Sequence, residues 1–208
     1  RGCHVAVLGR RKELVTEVAA QIAGFPVVAD AAKPEEMREA VNTVLERFGG
    51  LDVLIANAGG HGLGSATETD DAAWARARQA NLDTAFVAAR ETLPSLIQRR
   101  GSIVFIASIA SLAAGPQVCG YTTFKHALIG LTRSLARDYG PQGVRVNALC
   151  PGWVRTPMAD EEMQPLMQAR GISLDEAYPL VTADVPLQRP ATAQDIASVC
   201  RFLASDEA

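Results

Sequence analysis

Tyr121 and Lys125 stand four residues apart in the run Gly120-Tyr-Thr-Thr-Phe-Lys-His-Ala-Leu, and Ser108 lies thirteen residues before the tyrosine. Four residues is just over one helical turn, so both side chains leave the same face of a helix. A free phenol titrates near pH ~10 and is a poor acid–base catalyst at neutrality. An ammonium beside it favours the phenolate and lowers that value. A serine hydroxyl arriving from another element could share a substrate oxygen with the phenol. The chain has three tyrosines and three lysines, so a chance pair at this spacing is expected at roughly a few per cent. A core tyrosine beside a solvated lysine is the plainer reading, and the rest of the chain weighs against it.

Placing such residues requires a scaffold, and the hydrophobic pattern supplies one. Apolar runs of strand length at 5–8, 26–29, 52–56, 102–107 and 144–149 alternate with amphipathic stretches at 12–23, 34–50, 71–99 and 121–139. Pro34 suits a first helical turn, and Pro94 is expected to kink the long helix. Residues 160–185 read as irregular and acidic, with Met158, Met163 and Met167 at helical spacing, and Thr192 caps a last helix to about residue 204. Continuous apolar strands alternating with helices predict an α/β fold, a doubly wound parallel sheet covered on both faces. Ligands on such sheets bind beyond the carboxyl ends of the strands. Arg10, Asp30, Asn57, Ser108 and Pro151 each follow a predicted strand there.

Composition narrows the partners. Hydrophobic residues make up 48% and charged residues 21%, with a net charge of −3, the balance of a soluble domain. No basic footprint for nucleic acid or an anionic membrane is present, and no apolar run approaches a membrane span. Cys3, Cys119, Cys150 and Cys200 lack metal-ligand spacing and read as reduced thiols of a cytoplasmic protein. His4, His61 and His126 form no metal cluster, so no metal is expected. His61 lies in a glycine-rich loop from which it could reach a ligand. The whole of 1–208 reads as one domain.

With these residues placed, the chain resembles the short-chain dehydrogenase/reductase family, in particular its single-domain 3-oxoacyl carrier-protein reductase-like and secondary-alcohol dehydrogenase members. The resemblance rests on Asn57-Ala58-Gly59, Asn81, Ser108, Tyr121-x-x-x-Lys125, and Pro151-Gly152 followed by Thr156. It implies a Rossmann-like three-layer α/β/α fold. It also implies a Gly-rich first turn before Arg1 and a last strand after residue 208. The chain is therefore expected to be part of a domain of about 250 residues, and without its central strand to expose unpaired edges and apolar faces.

The resemblance further implies the roles. Tyr121 is the general acid in ketone reduction and the base in alcohol oxidation. Lys125 lowers its pKa and holds the nicotinamide ribose, Ser108 donates to the carbonyl oxygen, and Asn81 helps hold a relay water. A polar residue satisfying a helix irregularity is the plainer reading of Asn81. For the cofactor, Gly9-Arg10-Arg11 stands where NAD-preferring folds place an acid. Guanidinium suits a 2′-phosphate, so NADP(H) is favoured over NAD(H). Asp30 and Ala31 fall on the adenine side, Asn57, Ala58 and Gly59 on the adenine–ribose side, and Pro151, Gly152, Val154 and Thr156 toward the nicotinamide amide and phosphates. Ala110, Val118 and Trp153 join Ser108 and Tyr121 as the substrate wall, with Met158–Met167 either extending it or packing a lid. Arg155 and Arg170 are the candidates for capturing a carboxylate.

The function implied is NADPH-dependent reduction of a ketone to a secondary alcohol, or the reverse. A 3-oxoacyl carrier-protein reductase is the alternative within enzymes, and a non-catalytic nucleotide-binding scaffold the alternative outside them. The partners implied are a small-molecule carbonyl or alcohol and further copies of the chain. A homotetramer or homodimer would bury the Ala85, Ala88, Ala89 face of 71–99 and the Phe124, Leu128, Leu131 face of 121–139.

Overall fold

Ile103, Val104 and Phe105 have no solvent-accessible surface in the computed structural model, which describes residues 2–208. They belong to β4 (Ser102–Ile106), the middle strand of a parallel three-stranded sheet with β3 (Val53–Ala56) and β5 (Arg145–Leu149). Consecutive side chains of a strand face opposite ways, so burial of three in a row requires cover on both faces. Helices α4 (Thr84–Arg99) and α5 (Cys119–Tyr139) pack on this sheet, α4 against β3 and β4 and α5 against β5. A second parallel sheet pairs β1 (Ala6–Gly9) with β2 (Phe25–Val28). Pro26 is tolerated because β2 is an edge strand of that sheet.

The two sheets are not hydrogen-bonded to each other. They are joined by apolar packing. Met37 and Val41 of α2 (Pro34–Phe48) meet Val87 and Ala88 of α4, with Leu8 of β1 and Leu54 of β3 against them. Val53 and Ile55 of β3, and Val5 just before β1, remain exposed. Helix α1 (Lys12–Gln21) packs on β1 and β2. Helix α2 ends at Gly49 with φ +74°, the left-handed cap that glycine adopts at least cost.

The chain divides into two compact units, Arg1–Leu149 and Cys150–Ala208. In the second, the segment expected to be irregular is helical, as α6 (Pro157–Arg170) and α7 (Leu174–Val181), and the last helix expected after Thr192 is α8 (Ala193–Ala204). Each has a capping side chain, Thr156, Ser173 and Thr192 respectively, and Ser173 with Glu176 forms a reciprocal capping box. Pro165 and Pro179 sit inside α6 and α7. Met163 is buried with Ala159, Ala177 and Tyr178, while Trp153 and Met167 pack against that cluster. The methionine spacing therefore reflects packing of α6 on α7. The Tyr178 hydroxyl donates to Asp160 Oδ1 at 2.7 Å. Burial, reinforced by that carboxylate, pushes the phenol up to about 12, so it remains a neutral donor at physiological pH.

The long helix expected over 71–99 also differs. It is interrupted by a π-turn at Gln79–Asp83, between α3 (Asp71–Arg78) and α4, while Pro94 is accommodated within α4. The residues expected to face a symmetry mate are mostly internal. Ala85, Ala88, Ala89, Phe124 and Leu128 are buried within this unit, and Leu131 is half-buried. Leu82 and Phe86 of the long helix and Ala127, Gly130 and Leu131 of α5 instead line a shallow apolar depression.

Candidate active site

The loop after β3 is built so that backbone can lie close to helix. Gly62 O accepts from Tyr121 N at 3.1 Å, Gly64 N donates to Gln117 O at 2.8 Å, and Cys119 N donates to Gly64 O at 3.1 Å. The loop is thereby fastened to the first turn of α5. A Cβ on Gly62 would lie 2.5 Å from Tyr121 N and 3.1 Å from Ala77 Cβ, closer than packed atoms allow. Gly64 has φ +112°, a conformation open essentially to glycine. Gly62→Ala is therefore expected to lower stability by about 1–3 kcal/mol and to cut turnover at least tenfold by moving the Tyr121 backbone. Thermal melts and initial rates on the same preparation check both effects.

Asn81 holds the other side of the loop. It sits in the π-turn, almost fully buried, and its amide donates to Ala77 O at 3.1 Å and to His61 O at 3.4 Å. Its Oδ1 accepts from Gly60 N at 3.3 Å. Asn81 thus satisfies the helix irregularity through Ala77, and the same side chain ties down the loop. Thr84, which the sequence did not single out, repeats the device, its Oγ1 bonding Ala80 O at 2.9 Å and Ala58 O at 3.3 Å. A hydroxyl four residues after a small residue in a helix is too common a pattern to have marked it.

On α5, Lys125 is buried, with its Nζ donating to Ile106 O at 3.0 Å and lying 5.6 Å from the centre of the Tyr121 ring. A Cβ built on Gly59 would come within 3.5 Å of Asn81 Oδ1 and 3.7 Å of Lys125 Nζ. Gly59, Asn81, Tyr121 and Lys125 therefore lie close together. Ser108 follows β4 and caps the short turn Ile109–Ser111, which packs on α5. Its Oγ accepts from Ala110 N at 3.1 Å while its own N donates to Ser111 Oγ at 3.3 Å. The serine is thus oriented as an acceptor from the backbone, leaving its hydroxyl proton to be directed elsewhere. Ser111 is a buried member of this capping box.

The residues assigned to a dinucleotide lie at the carboxyl ends of their strands. Gly9 O accepts from Ala29 N at 3.1 Å, so Arg10 and Asp30 lie on neighbouring strand ends. Arg10 and Arg11 are exposed, and Arg11 precedes α1 without a side-chain cap bond. Asp30 Oδ1 accepts from Ala32 N at 3.0 Å, holding the carboxylate in a tight turn beside buried Ala31. Asn57, Ala58 and Gly59 are exposed. The open glycine loop thus follows a strand of the three-stranded sheet, while the oriented carboxylate and the exposed guanidinium groups stand at the strand ends of the two-stranded one. Ala110 and Val118 are half-buried, and Val118 bridges Gly64.

The remaining candidates lie in the second unit. Val154 bridges Ala191, Thr156 Oγ1 caps Ala159 N at 3.3 Å, Pro151 is half-buried and Gly152 exposed. Arg155 is ion-paired with Asp175 at 2.8 Å and stacks over Tyr178 at 5.0 Å, so its charge is already matched. Among the described residues no group of His, Cys, Asp and Glu could hold a metal ion, and no helix is long and apolar enough to cross a membrane.

Parallel strands with these groups at their carboxyl ends define a Rossmann-like α/β protein. A family model described as Enoyl-(Acyl carrier protein) reductase matches residues 1–208. The chain is 33% identical over 218 residues to 2-(S)-hydroxypropyl-CoM dehydrogenase 3 of Xanthobacter autotrophicus, covering 100% of this chain and 82% of that one. It is 70% identical over 128 residues to Protein MoaE of Klebsiella aerogenes, a match over 62% of this chain and 50% of the relative. It superposes on the crystal structure of actinorhodin polyketide ketoreductase with NADPH at a TM-score of 0.92, with 30% identity over 99% of this chain and 82% of that one. The chain belongs to the short-chain dehydrogenase/reductase family.

Proposed function

We propose that this chain carries the active site of an NADP(H)-dependent oxidoreductase that interconverts a ketone and a secondary alcohol, with Tyr121 as the acid–base group. The observation that carries the reading is the buried Lys125 ammonium, fixed on Ile106 O and set 5.6 Å from the Tyr121 ring. Burying an ammonium is costly unless it is compensated, and its place beside a phenol gives that cost a use, since a neighbouring positive charge favours phenolate. Bound nicotinamide supplies the hydride that the carbonyl carbon accepts, and is itself oxidised by two electrons.

The protein's part is proton delivery and charge stabilisation. Tyr121 gives its hydroxyl proton to the carbonyl oxygen as that oxygen gains charge. Ser108 donates a second hydrogen bond to the same oxygen, a preorganised contact of the kind that contributes most where charge develops. Asn81 holds the Gly60–His61 backbone against the π-turn at Gln79–Asp83. Lys125 holds the nicotinamide ribose, and Arg10 and Arg11 the 2′-phosphate. The test is consumption of NADPH by full-length protein with neutral ketones, and its formation with secondary alcohols. Absence of both reactions would leave a nucleotide-binding scaffold.

We also propose self-association as a homodimer or homotetramer through Leu82, Phe86 and Leu131 rather than the buried Ala85, Ala88 and Ala89. Phe86 is exposed with the Arg90 guanidinium 5.6 Å above its ring, and Gly130 opposite leaves room for a partner side chain. Phe86→Glu is expected to halve the particle mass or more in light scattering at micromolar protein. A parent that is already monomeric would overturn this assembly.

A further inference from the structure

We infer that the substrate is a neutral ketone whose carbonyl carries an extended apolar arm, and that Leu63, Ile109 and Leu112 form the wall that selects it. The inference rests on the oxidoreductase reading and deepens it. Each residue is tied by backbone to a reacting group. Leu63 lies between Gly62, whose carbonyl accepts from Tyr121 N, and Gly64, whose N donates to Gln117 O. Ile109 directly follows Ser108 and opens the turn that Ser108 caps, and Leu112 closes the same turn by donating its N–H to Ile109 O at 2.9 Å. Yet their side chains are out in solvent: Leu63 is 58% exposed, Ile109 51% and Leu112 67%. Three large aliphatic side chains on rigid turns flanking one reaction centre form a surface for apolar contact, whereas single exposed leucines scattered over a protein need no explanation.

The charge pattern makes the selection specific. No Asp, Glu, Lys or Arg occurs between Asp52 and Glu68, or between Arg100 and Lys125. These are the two segments that carry the glycine loop and the Ser108 turn. His61 is the basic side chain there, and Lys125 is committed to Ile106 O beside Tyr121. Arg155, a candidate partner for a substrate carboxylate, is paired with Asp175. Within these two segments a carboxylate on the substrate arm would therefore lose water against Leu63 and Leu112 without meeting a Lys or Arg, whereas an alkyl or aryl arm gains burial.

The experiment compares full-length protein on methyl alkyl ketones from butanone to octanone with linear oxo-acids of matched length, following NADPH. With the ketones kcat/KM is expected to rise about fourfold per added methylene until the wall is covered, and the longer ketones should exceed their oxo-acid counterparts at least tenfold. Leu63→Asn and Leu112→Asn, exposed positions that leave the fold intact, should flatten the chain-length dependence, chiefly through KM. A flat dependence in the parent, or oxo-acids turned over as well as ketones, overturns the inference while leaving the oxidoreductase reading standing. No NADPH consumption with any carbonyl compound overturns that reading, and this inference with it.

Discussion

Tyr121→Phe is expected to abolish all but a trace of turnover while cofactor affinity changes little. The substitution keeps the ring, its place on α5 and the Tyr121 N to Gly62 O bond, and removes the one proton the mechanism transfers. General acid catalysis is worth roughly a hundred- to ten-thousandfold, so kcat should fall by that order. Lys125→Ala should lower turnover and also weaken cofactor binding, because one ammonium serves the phenol and the ribose. It also vacates a buried position bonded to Ile106 O, so its melting temperature must be recorded beside its rate. The pair of variants separates the roles: a Tyr121→Phe enzyme within a few fold of the parent would remove the acid assignment whatever Lys125 does.

How far these residues could be read without coordinates depends on how local their determinants are. Tyr121 and Lys125 converge because a helix fixes a four-residue spacing, and the apolar strands declare themselves by burial on both faces, as Ile103 to Phe105 illustrate. At Asn81 a helix irregularity could be read but not its π form, because the extra residue in the helix ladder is held by tertiary partners, Gly60 and His61, rather than by propensity. Helices α6 and α7 were not expected, although the Ser173-to-Glu176 box and the Thr156-Pro157 start are local signals that the sequence carries. Periodicity marked apolar faces on α4 and α5 but not which of them points inward. Ala85 and Leu128 proved internal, and Phe86 external. The exposed Leu63 and Leu112 had no sequence signal, since a leucine in a loop is ordinarily part of a core.

Replacing Arg10 with alanine is expected to bring kcat/KM for NADPH down toward that for NADH, by roughly ten- to a hundredfold, the worth of a charge-assisted contact to a 2′-phosphate. Arg10 is exposed at the end of β1, on the strand next to the one leading to Asp30. A guanidinium at a helix start gains nothing from the helix dipole, so its presence there is better accounted for by a ligand anion than by local stability. An exposed contact is screened by salt, so the preference for NADPH should also narrow as ionic strength rises. Full reversal requires an acceptor for the ribose 2′-hydroxyl as well as loss of the cation, as in Gly9→Asp combined with Arg10→Ala. A Cβ at Gly9 would stand 3.1 Å from Cγ2 of the buried Val15, so α1 must yield by a few tenths of an ångström. Gly9→Ala isolates that packing cost in a thermal melt. Kd values for NADPH and NADH from fluorescence titration, measured beside the rates, then separate cofactor recognition from any loss of catalysis. Unchanged NADPH preference in Arg10→Ala, with salt without effect, would reduce Arg10 to ordinary surface charge and return the choice of cofactor to residues elsewhere on the sheet edge.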